Sequence, residues 1–300
     1  MTAWSNCSRK RAAGKKIERM KALKDFCQFI RFSHTVFALP FALGAMFVAA
    51  GGLPSAPVLA GILAAMVCAR TAAMTFNRLV DWEIDKRNPR TEMRHRLLSK
   101  RAAVGWCVAA SLGFLLSAWW LNPLCFLLSP VALAIVFFYS LTKRFTHSAQ
   151  FFLGLALAVA PVGAWIAVTG AFAFPPLILA AAVLFWVAGF DLIYATQDDE
   201  VDRREGLHSM VVRLGVPGAM KLALGLHLAA VLGLLAFGLA ADAGKIYFVS
   251  LSIVVAALVY EHLEARRGDI ASINRAFFQA NAIVGIAFVA GTFFDRLALL

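Results

Sequence analysis

The sequence predicts an all-α protein, a polytopic membrane bundle of about nine transmembrane helices. Of its 300 residues, 61% are hydrophobic and 15% are charged, and the mean hydropathy is +0.75. Ordinary soluble domains carry about a quarter charged residues, so this composition excludes a water-soluble globule. The five cysteines contain no CxxC pair and no metal-type spacing, which excludes a secreted disulfide scaffold.

Long apolar runs place the helices along the chain, because a spanning helix needs about 20 mostly apolar residues. Nine windows meet this requirement, and in chain order they are 33–51, 57–77, 103–121, 123–141, 151–170, 175–196, 217–240, 246–263 and 276–294. Prolines inside them, such as Pro40 and Pro161, are tolerated by helices packed in lipid. We therefore expect a basic N-terminal tail over 1–25 and one transmembrane domain over 26–300.

Positive charge is unevenly divided between the two sides of this predicted bundle. The net charge is +12, and 26 of the 29 lysines and arginines lie in the N-terminal tail, in alternate connections or just inside the helices beside them. The positive-inside rule makes this side cytoplasmic, with the N-terminus inside and the C-terminus outside. The basic excess is explained by this topology in a cell inner membrane and by attraction to membrane lipid, so no nucleic-acid partner is predicted.

Ten of the 17 acidic residues lie in two clusters, after the second window and at the end of the sixth, both on the predicted cytoplasmic side. The aligned residues are Asn77, Asp81 and Asp85 in the first cluster, and Asp191, Asp198 and Asp202 in the second. Spacings close to whole helical turns place each set on one helical face. Tyr194 lies beside the second set.

Carboxylates that converge without histidine or cysteine suit a hard cation such as Mg²⁺, which is commonly shared between protein carboxylates and substrate phosphates. A polar mouth above an apolar bundle therefore predicts a ligand with a phosphate head and an apolar tail. One alternative is that these are solvated loop acids that balance nearby arginines and lysines. Another is a membrane transporter, but carriers place ionisable groups near the bilayer midplane, whereas these acids lie at one face.

Four motifs, in order, resemble those of the UbiA superfamily of intramembrane prenyltransferases, most closely its 4-hydroxybenzoate polyprenyltransferase branch. They are the segment Arg31–Pro40, Asn77-x3-Asp81-x3-Asp85 followed by Asn88-Pro89-Arg90-Thr91, Tyr139–Thr146 with Gln150 and Gly154, and Asp191-x2-Tyr194-x3-Asp198-x3-Asp202 followed by Gly206–Ser209. The resemblance implies Mg²⁺-dependent transfer of a chain from polyprenyl diphosphate to an aromatic acid acceptor, in ubiquinone or menaquinone biosynthesis. Whether the acceptor is a benzoate or a naphthoate stays open.

The resemblance also implies roles for individual residues. The expected Mg²⁺ ligands are Asn77, Asp81, Asp85, Asp198 and Asp202. Fixed positive charge opposite the diphosphate is expected from Lys143, Arg144 and Arg78. Asp191 is expected to be either the base that removes the ring proton or a further metal partner. Tyr139 and Tyr194 are expected either to shelter an allylic cation with their ring faces or to pack in the core.

Arg70 is an ionisable residue inside a predicted span, and such residues are functional by default. It precedes Asn77 by two helical turns and lies on the same face. We therefore expect Arg70 to bind the carboxylate of the acceptor or the diphosphate. The alternative is a structural pair with Asp191 or with a backbone carbonyl.

Overall fold

The computed structural model describes residues 26, 28–29, 37–87, 97–204 and 208–299, without the side chains of 84, 87 and 200–202. The helices are α1 Leu39–Ala50, α2 Ala56–Val80, α3 Trp82–Arg87, α4 Lys100–Leu121, α5 Pro123–Thr142, α6 Ala149–Thr169, α7 Phe174–Ala195, α8 Asp199–Arg204, α9 Met210–Ala240, α10 Lys245–Ala265, α11 Ile270–Arg275 and α12 Asn281–Ala298. A 3₁₀ turn, Thr196–Asp198, joins α7 to α8, and a π-helical turn, Ala276–Ala280, joins α11 to α12. The described part contains no strand, so the all-α prediction is confirmed.

Eight segments of the described chain are long and apolar enough to cross a membrane, and they correspond to the second through ninth predicted windows. Within the last of these, α11, the π-turn and α12 form one span, Ile270–Ala298. The first window appears as the 12-residue apolar helix α1. Residues 30–36 on its N-terminal side, like the predicted tail over 1–25, lie outside the described residues.

Helix α9 differs from its predicted window, 217–240, because it begins seven residues earlier. The backbone departs from helical geometry at Gly215, whose φ of 70° and ψ of 162° lie in a region that favours glycine. Pro217 follows, and a proline at the start of a helix leaves no amide unsatisfied. The straight part of α9 therefore matches the prediction, and a short helical segment precedes it.

The bundle has two sides that meet at α6. On one side α2 packs against α4 and α5, and on the other α7 packs against α9, while α10 packs against α12. Helix α1 lies between α6 and α12. Four helices, α2, α4, α5 and α6, surround an apolar cavity of about 310 Å³. Helices α4 and α5 are the least buried of the spans, so their other faces are available to lipid.

Close backbone contact holds the two sides together. A Cβ atom at Gly154 on α6 would lie 2.5 Å from the carbonyl oxygen of Leu184 on α7. No side chain fits in that space, so glycine is required for α6 and α7 to pack at this distance. This contact explains why the third motif includes a glycine at position 154.

Polar side chains fix the turns at the end of the bundle opposite the acidic motifs. The Asn122 side-chain amide donates to the Ile166 carbonyl at 2.8 Å and so ties the α4–α5 turn to the end of α6. The buried Asp295 carboxylate, near the end of α12, accepts from the amides of Gly244 at 2.7 Å and Tyr247 at 3.2 Å. It therefore accepts hydrogen bonds from amides at the start of α10. These amides have no carbonyl partner within the helix, because no helical turn precedes them.

Candidate active site

The first acidic motif lies where α2 ends, and its face continues across the helix break. The Asp81 amide donates to the Asn77 carbonyl at 3.0 Å, and the Asp85 amide donates to the Asp81 carbonyl at 2.8 Å. These are helix-type hydrogen bonds, so the three residues remain one turn apart as predicted. Asp81 and Asp85 are buried, with 3% and 7% exposure, and Asn77 is half-buried.

The turn after α5 places two cations on Asp81. Lys143 Nζ lies 2.6 Å from Asp81 Oδ2, and a guanidinium nitrogen of Arg144 lies 3.7 Å from Asp81 Oδ1. The same Arg144 nitrogen donates to the Val80 carbonyl at 2.7 Å, which fixes the turn over the end of α2. Three predicted site residues, distant in sequence, are thus brought together.

Arg78 is buried and directed toward the acids of its own motif. Its guanidinium lies 3.7 Å from Asp85 Oδ2 and donates to Asn77 Oδ1 at 3.5 Å. In this structure Arg78 therefore pairs with Asp85, and its predicted role opposite a diphosphate stays a prediction.

The second acidic motif is divided between α7 and the 3₁₀ turn after it. Asp191 lies on α7 and Asp198 in the turn, both half-buried and within electrostatic range of each other. A 3₁₀ turn has about three residues per turn, so it interrupts the regular α-helical spacing on which the predicted stripe depends. The side chain of Asp202 lies outside the described residues.

The α5–α6 turn connects the two motifs. While Lys143 contacts Asp81, His147 Nδ1 lies 3.2 Å from the Ser209 carbonyl oxygen just before α9. The rings of His147 and His208 lie 4.8 Å apart, and α9 contacts the 3₁₀ turn that carries Asp198. Both acidic motifs therefore lie at one end of the bundle, which we call the motif end.

Below the motif end, Arg70 and Tyr139 both line the cavity, whose other lining residues are almost all apolar. Arg70 lies on α2 two turns from Asn77, as predicted, and Tyr139 lies on α5 one turn before Lys143. Tyr194 does not line this cavity and packs instead on Phe277, with ring centroids 4.4 Å apart. The two tyrosines therefore do not form one aromatic enclosure.

The described motif residues offer oxygen ligands of the kind that Mg²⁺ prefers. Asp81 Oδ1 is buried and accepts no hydrogen bond, so one ligand atom is available without breaking a hydrogen bond. Among the described side chains, no three of the types His, Cys, Asp and Glu lie close enough together to bind a metal. The donor set therefore fits Mg²⁺ in its chemistry, and Lys143 and Arg144 lie against one of its carboxylates, that of Asp81.

Sequence reasoning missed a second polar group, buried in the core. It consists of His227, Glu261, His262 and Asn281, on α9, α10 and α12. The available signal was the same as for Arg70, since ionisable residues inside apolar windows are functional candidates by default.

Comparison with known proteins decides the family. The UbiA prenyltransferase family matches residues 38–283. The chain belongs to this family. A 4-hydroxybenzoate solanesyltransferase from Synechocystis sp. is 31% identical, over 83% of this chain and 87% of its own length. A 4-hydroxybenzoate octaprenyltransferase from Nitrosospira multiformis is also 31% identical, over 85% of this chain and 88% of its own.

Solved structures agree with this assignment. The apo structure of a UbiA homolog from Aeropyrum pernix K1 is 32% identical with a TM-score of 0.79, over 87% of this chain and 98% of that one. A UbiA homolog from Archaeoglobus fulgidus, bound to GPP and Mg²⁺, has the same fold, with a TM-score of 0.70 at 23% identity over 91% of this chain and 99% of that one. The protein is thus a multi-pass membrane prenyltransferase, and the predicted resemblance to the 4-hydroxybenzoate branch is confirmed.

The ion pair between Lys143 and Asp81 predicts a specific pattern of thermal stability. Lys143→Met leaves a buried carboxylate without its hydrogen-bonded cation, which costs about 1–3 kcal/mol. Adding Asp81→Asn removes the charge, so we expect the double variant to recover most of the lost Tm in detergent without Mg²⁺. Lys221→Met, at an exposed lysine on α9, is the control and should leave the Tm unchanged. Equal effects of the two lysine variants, or strictly additive losses at Lys143 and Asp81, would contradict the pairing.

Proposed function

We propose that this protein catalyses the Mg²⁺-dependent transfer of a polyprenyl chain from polyprenyl diphosphate to 4-hydroxybenzoate, in ubiquinone synthesis. The observation that carries the proposal is the buried carboxylate face of α2 and α3, contacted by cations from the α5–α6 turn, at the end of an apolar cavity. This arrangement suits a ligand with a charged head and an apolar tail. The names of the similar proteins from Synechocystis sp. and Nitrosospira multiformis support the same donor and acceptor.

In the proposed mechanism, the residues of the motif end hold the donor's head. The residues that would hold Mg²⁺ are Asn77, Asp81, Asp85, Asp198 and Asp202. When bound, the metal neutralises the diphosphate and so makes it a better leaving group. Lys143 and Arg144 then leave Asp81 and donate to diphosphate oxygens, where they stabilise the charge that develops as the allylic C–O bond breaks.

The remaining steps join the allylic cation to the ring. An electron-rich ring carbon of the acceptor forms the new bond to the allylic carbon, and the ring proton passes to Asp191. The face of Tyr194 or Tyr139 stabilises the cation until the bond forms. Arg70 binds the acceptor carboxylate, because a planar guanidinium is the best partner for a carboxylate in a medium of low dielectric constant. Arg78 adds positive charge at the motif end.

We propose further that the motif end faces the cytoplasm and that the membrane is the inner membrane of the cell. The lysine and arginine excess on that side supports this orientation. Both substrates then reach the site from the leaflet or the cytoplasm without crossing the bilayer.

The metal role of the acidic motifs is tested by Asp81→Asn and Asp198→Asn. Each removes a carboxylate that would hold the metal opposite the leaving group, so we expect turnover to fall by at least about 100-fold. The assay is EDTA-sensitive incorporation of labelled polyprenyl diphosphate into 4-hydroxybenzoate, with folding checked by gel filtration. Asp199→Asn is the matched control, since Asp199 pairs with Arg203 beside the site. If both test variants keep more than about a tenth of wild-type turnover, the shared metal site is wrong.

The role of Arg70 is tested by comparing the KM values of the two substrates. Arg70→Leu removes hydrogen bonds to a charged group worth about 1.5–3 kcal/mol, so the KM for 4-hydroxybenzoate should rise about tenfold or more. The KM for polyprenyl diphosphate should change much less, and Arg70→Lys should recover only part of the loss. Equal increases in both KM values would assign Arg70 to the diphosphate or to folding. A naphthoate that outperforms 4-hydroxybenzoate with the wild type would replace the proposed acceptor.

The orientation is tested with reporters that are active on only one side of the membrane. A reporter inserted in the α5–α6 turn should be cytoplasmic, and one fused after Leu300 should be on the opposite side. The physical reason is the retention of the basic connections in the cytoplasm. Finding both reporters on the same side would show that the number of spans between them is even.

A further inference from the structure

A polar group lies in the core between α7, α9, α10 and α12, apart from both acidic motifs. Glu261 and Asn281 have no exposed surface and His227 has 2%. The Asn281 side-chain amide donates to Glu261 Oε1 at 3.0 Å and to the Phe277 carbonyl at 2.8 Å. A carboxylic group in such a place is costly, because apolar residues would join the same helices without a desolvation penalty.

His227 extends this group to α7. Its Nε2 lies 3.3 Å from the Trp186 carbonyl oxygen, which only accepts hydrogen bonds, so Nε2 carries a proton. His227 Nδ1 then accepts from His262 Nε2 at 3.0 Å and lies 3.9 Å from Glu261 Oε2. The imidazole fits here because a Cβ atom at Gly189 would lie 2.3 Å from its Cδ2. The polar group is therefore attached to the helix that carries Asp191.

Asn281 follows a π-helical turn, and this position gives its side chain a definite task. A π-turn interrupts the regular backbone ladder and occurs frequently at functional sites. The Asn281 amide binds the Phe277 carbonyl inside the turn, while Glu261 holds the same amide from α10. The two side chains together thus fix the turn against its neighbours.

The position of the π-helical turn determines where the Phe277 ring lies. The Phe277 ring is buried, with centroids 4.4 Å from Tyr194 and 5.4 Å from Phe190, both on α7. Such ring contacts are directional, so a shift of the turn moves or releases the tyrosine ring. Tyr194 follows Asp191 by about one helical turn.

We propose that Asn281 and Glu261 are positioning residues for prenyl transfer, which act through the π-turn and Phe277 to hold Tyr194 beside Asp191. This inference rests on the proposed function. It assigns to the buried polar group an effect on the rate of the chemical step, whereas a purely structural group would affect only the folded fraction.

The first experiment is a double-mutant cycle on the purified full-length protein with Asn281→Leu and Phe277→Leu. Asn281→Leu should lower kcat at least about tenfold with little change in either KM, because small displacements near reacting groups are costly. The kcat of the double variant should lie within about twofold of the lower of the two single-variant kcat values. The reason is that both changes act through one contact, so their losses do not multiply. Glu261→Gln retains an acceptor for Asn281 and should keep most of the wild-type kcat.

Thr292→Val is the matched control. It removes a buried hydroxyl that donates to the Phe288 carbonyl on the same helix, away from α7. Its kcat should equal that of the wild type per folded molecule, even where its Tm falls as much as that of Asn281→Leu. The proposal would be overturned if the loss of kcat in the double variant equalled the product of the losses in Asn281→Leu and Phe277→Leu. Equal kcat values for the Asn281 and Thr292 variants would also overturn it.

A second measurement is independent of activity. With 3-fluorotyrosine incorporated at Tyr194, the ¹⁹F resonance should shift in Asn281→Leu, because the ring current of Phe277 changes, and should not shift in Thr292→Val. An unchanged resonance in Asn281→Leu would overturn the positioning role. A wild type that does not prenylate 4-hydroxybenzoate, together with the expected ¹⁹F shift, would instead reject the proposed function and leave the contact between the π-turn and Tyr194 established.

Discussion

The arrangement of the motif end depends on the buried carboxylate of Asp81. A carboxylate with 3% exposure is stable only if cations and hydrogen-bond donors compensate for its lost hydration. Lys143 supplies that compensation from the end of α5, and Arg144 adds a hydrogen bond to the end of α2. The need to compensate the buried Asp81 carboxylate therefore holds the end of α5 against the end of α2, above the cavity that these helices share with α4 and α6.

The same requirement links the resting protein to its proposed chemistry. Lys143 and Arg144 lie against Asp81, and Arg78 lies against Asp85. In the proposed reaction, these acids would hold a divalent metal, and Lys143, Arg144 and Arg78 would instead donate to the anionic head of the donor. Metal and diphosphate would then favour each other's binding, because each would provide partners for charges that the other displaces.

Sequence predicted those features that depend on local pattern. The spans result from apolar length, and the face of Asn77, Asp81 and Asp85 results from a spacing of one turn, which helix-type hydrogen bonds preserve across the break after Val80. The 3₁₀ turn before α8 was not predictable, because nothing in the helical pattern of residues 191–202 marks the change in pitch. The contacts between His227, Glu261 and Asn281 join three helices, and periodicity within one helix carries no information about its partner.

The position of Asp295 has a consequence for biogenesis. This residue lies on α12, yet it satisfies amides at the start of α10, about fifty positions earlier in synthesis. Helix α10 therefore enters the bilayer with those amides hydrated and exchanges water for the carboxylate only after α12 has been inserted. This half of the bundle is therefore complete only when α12 has joined α10.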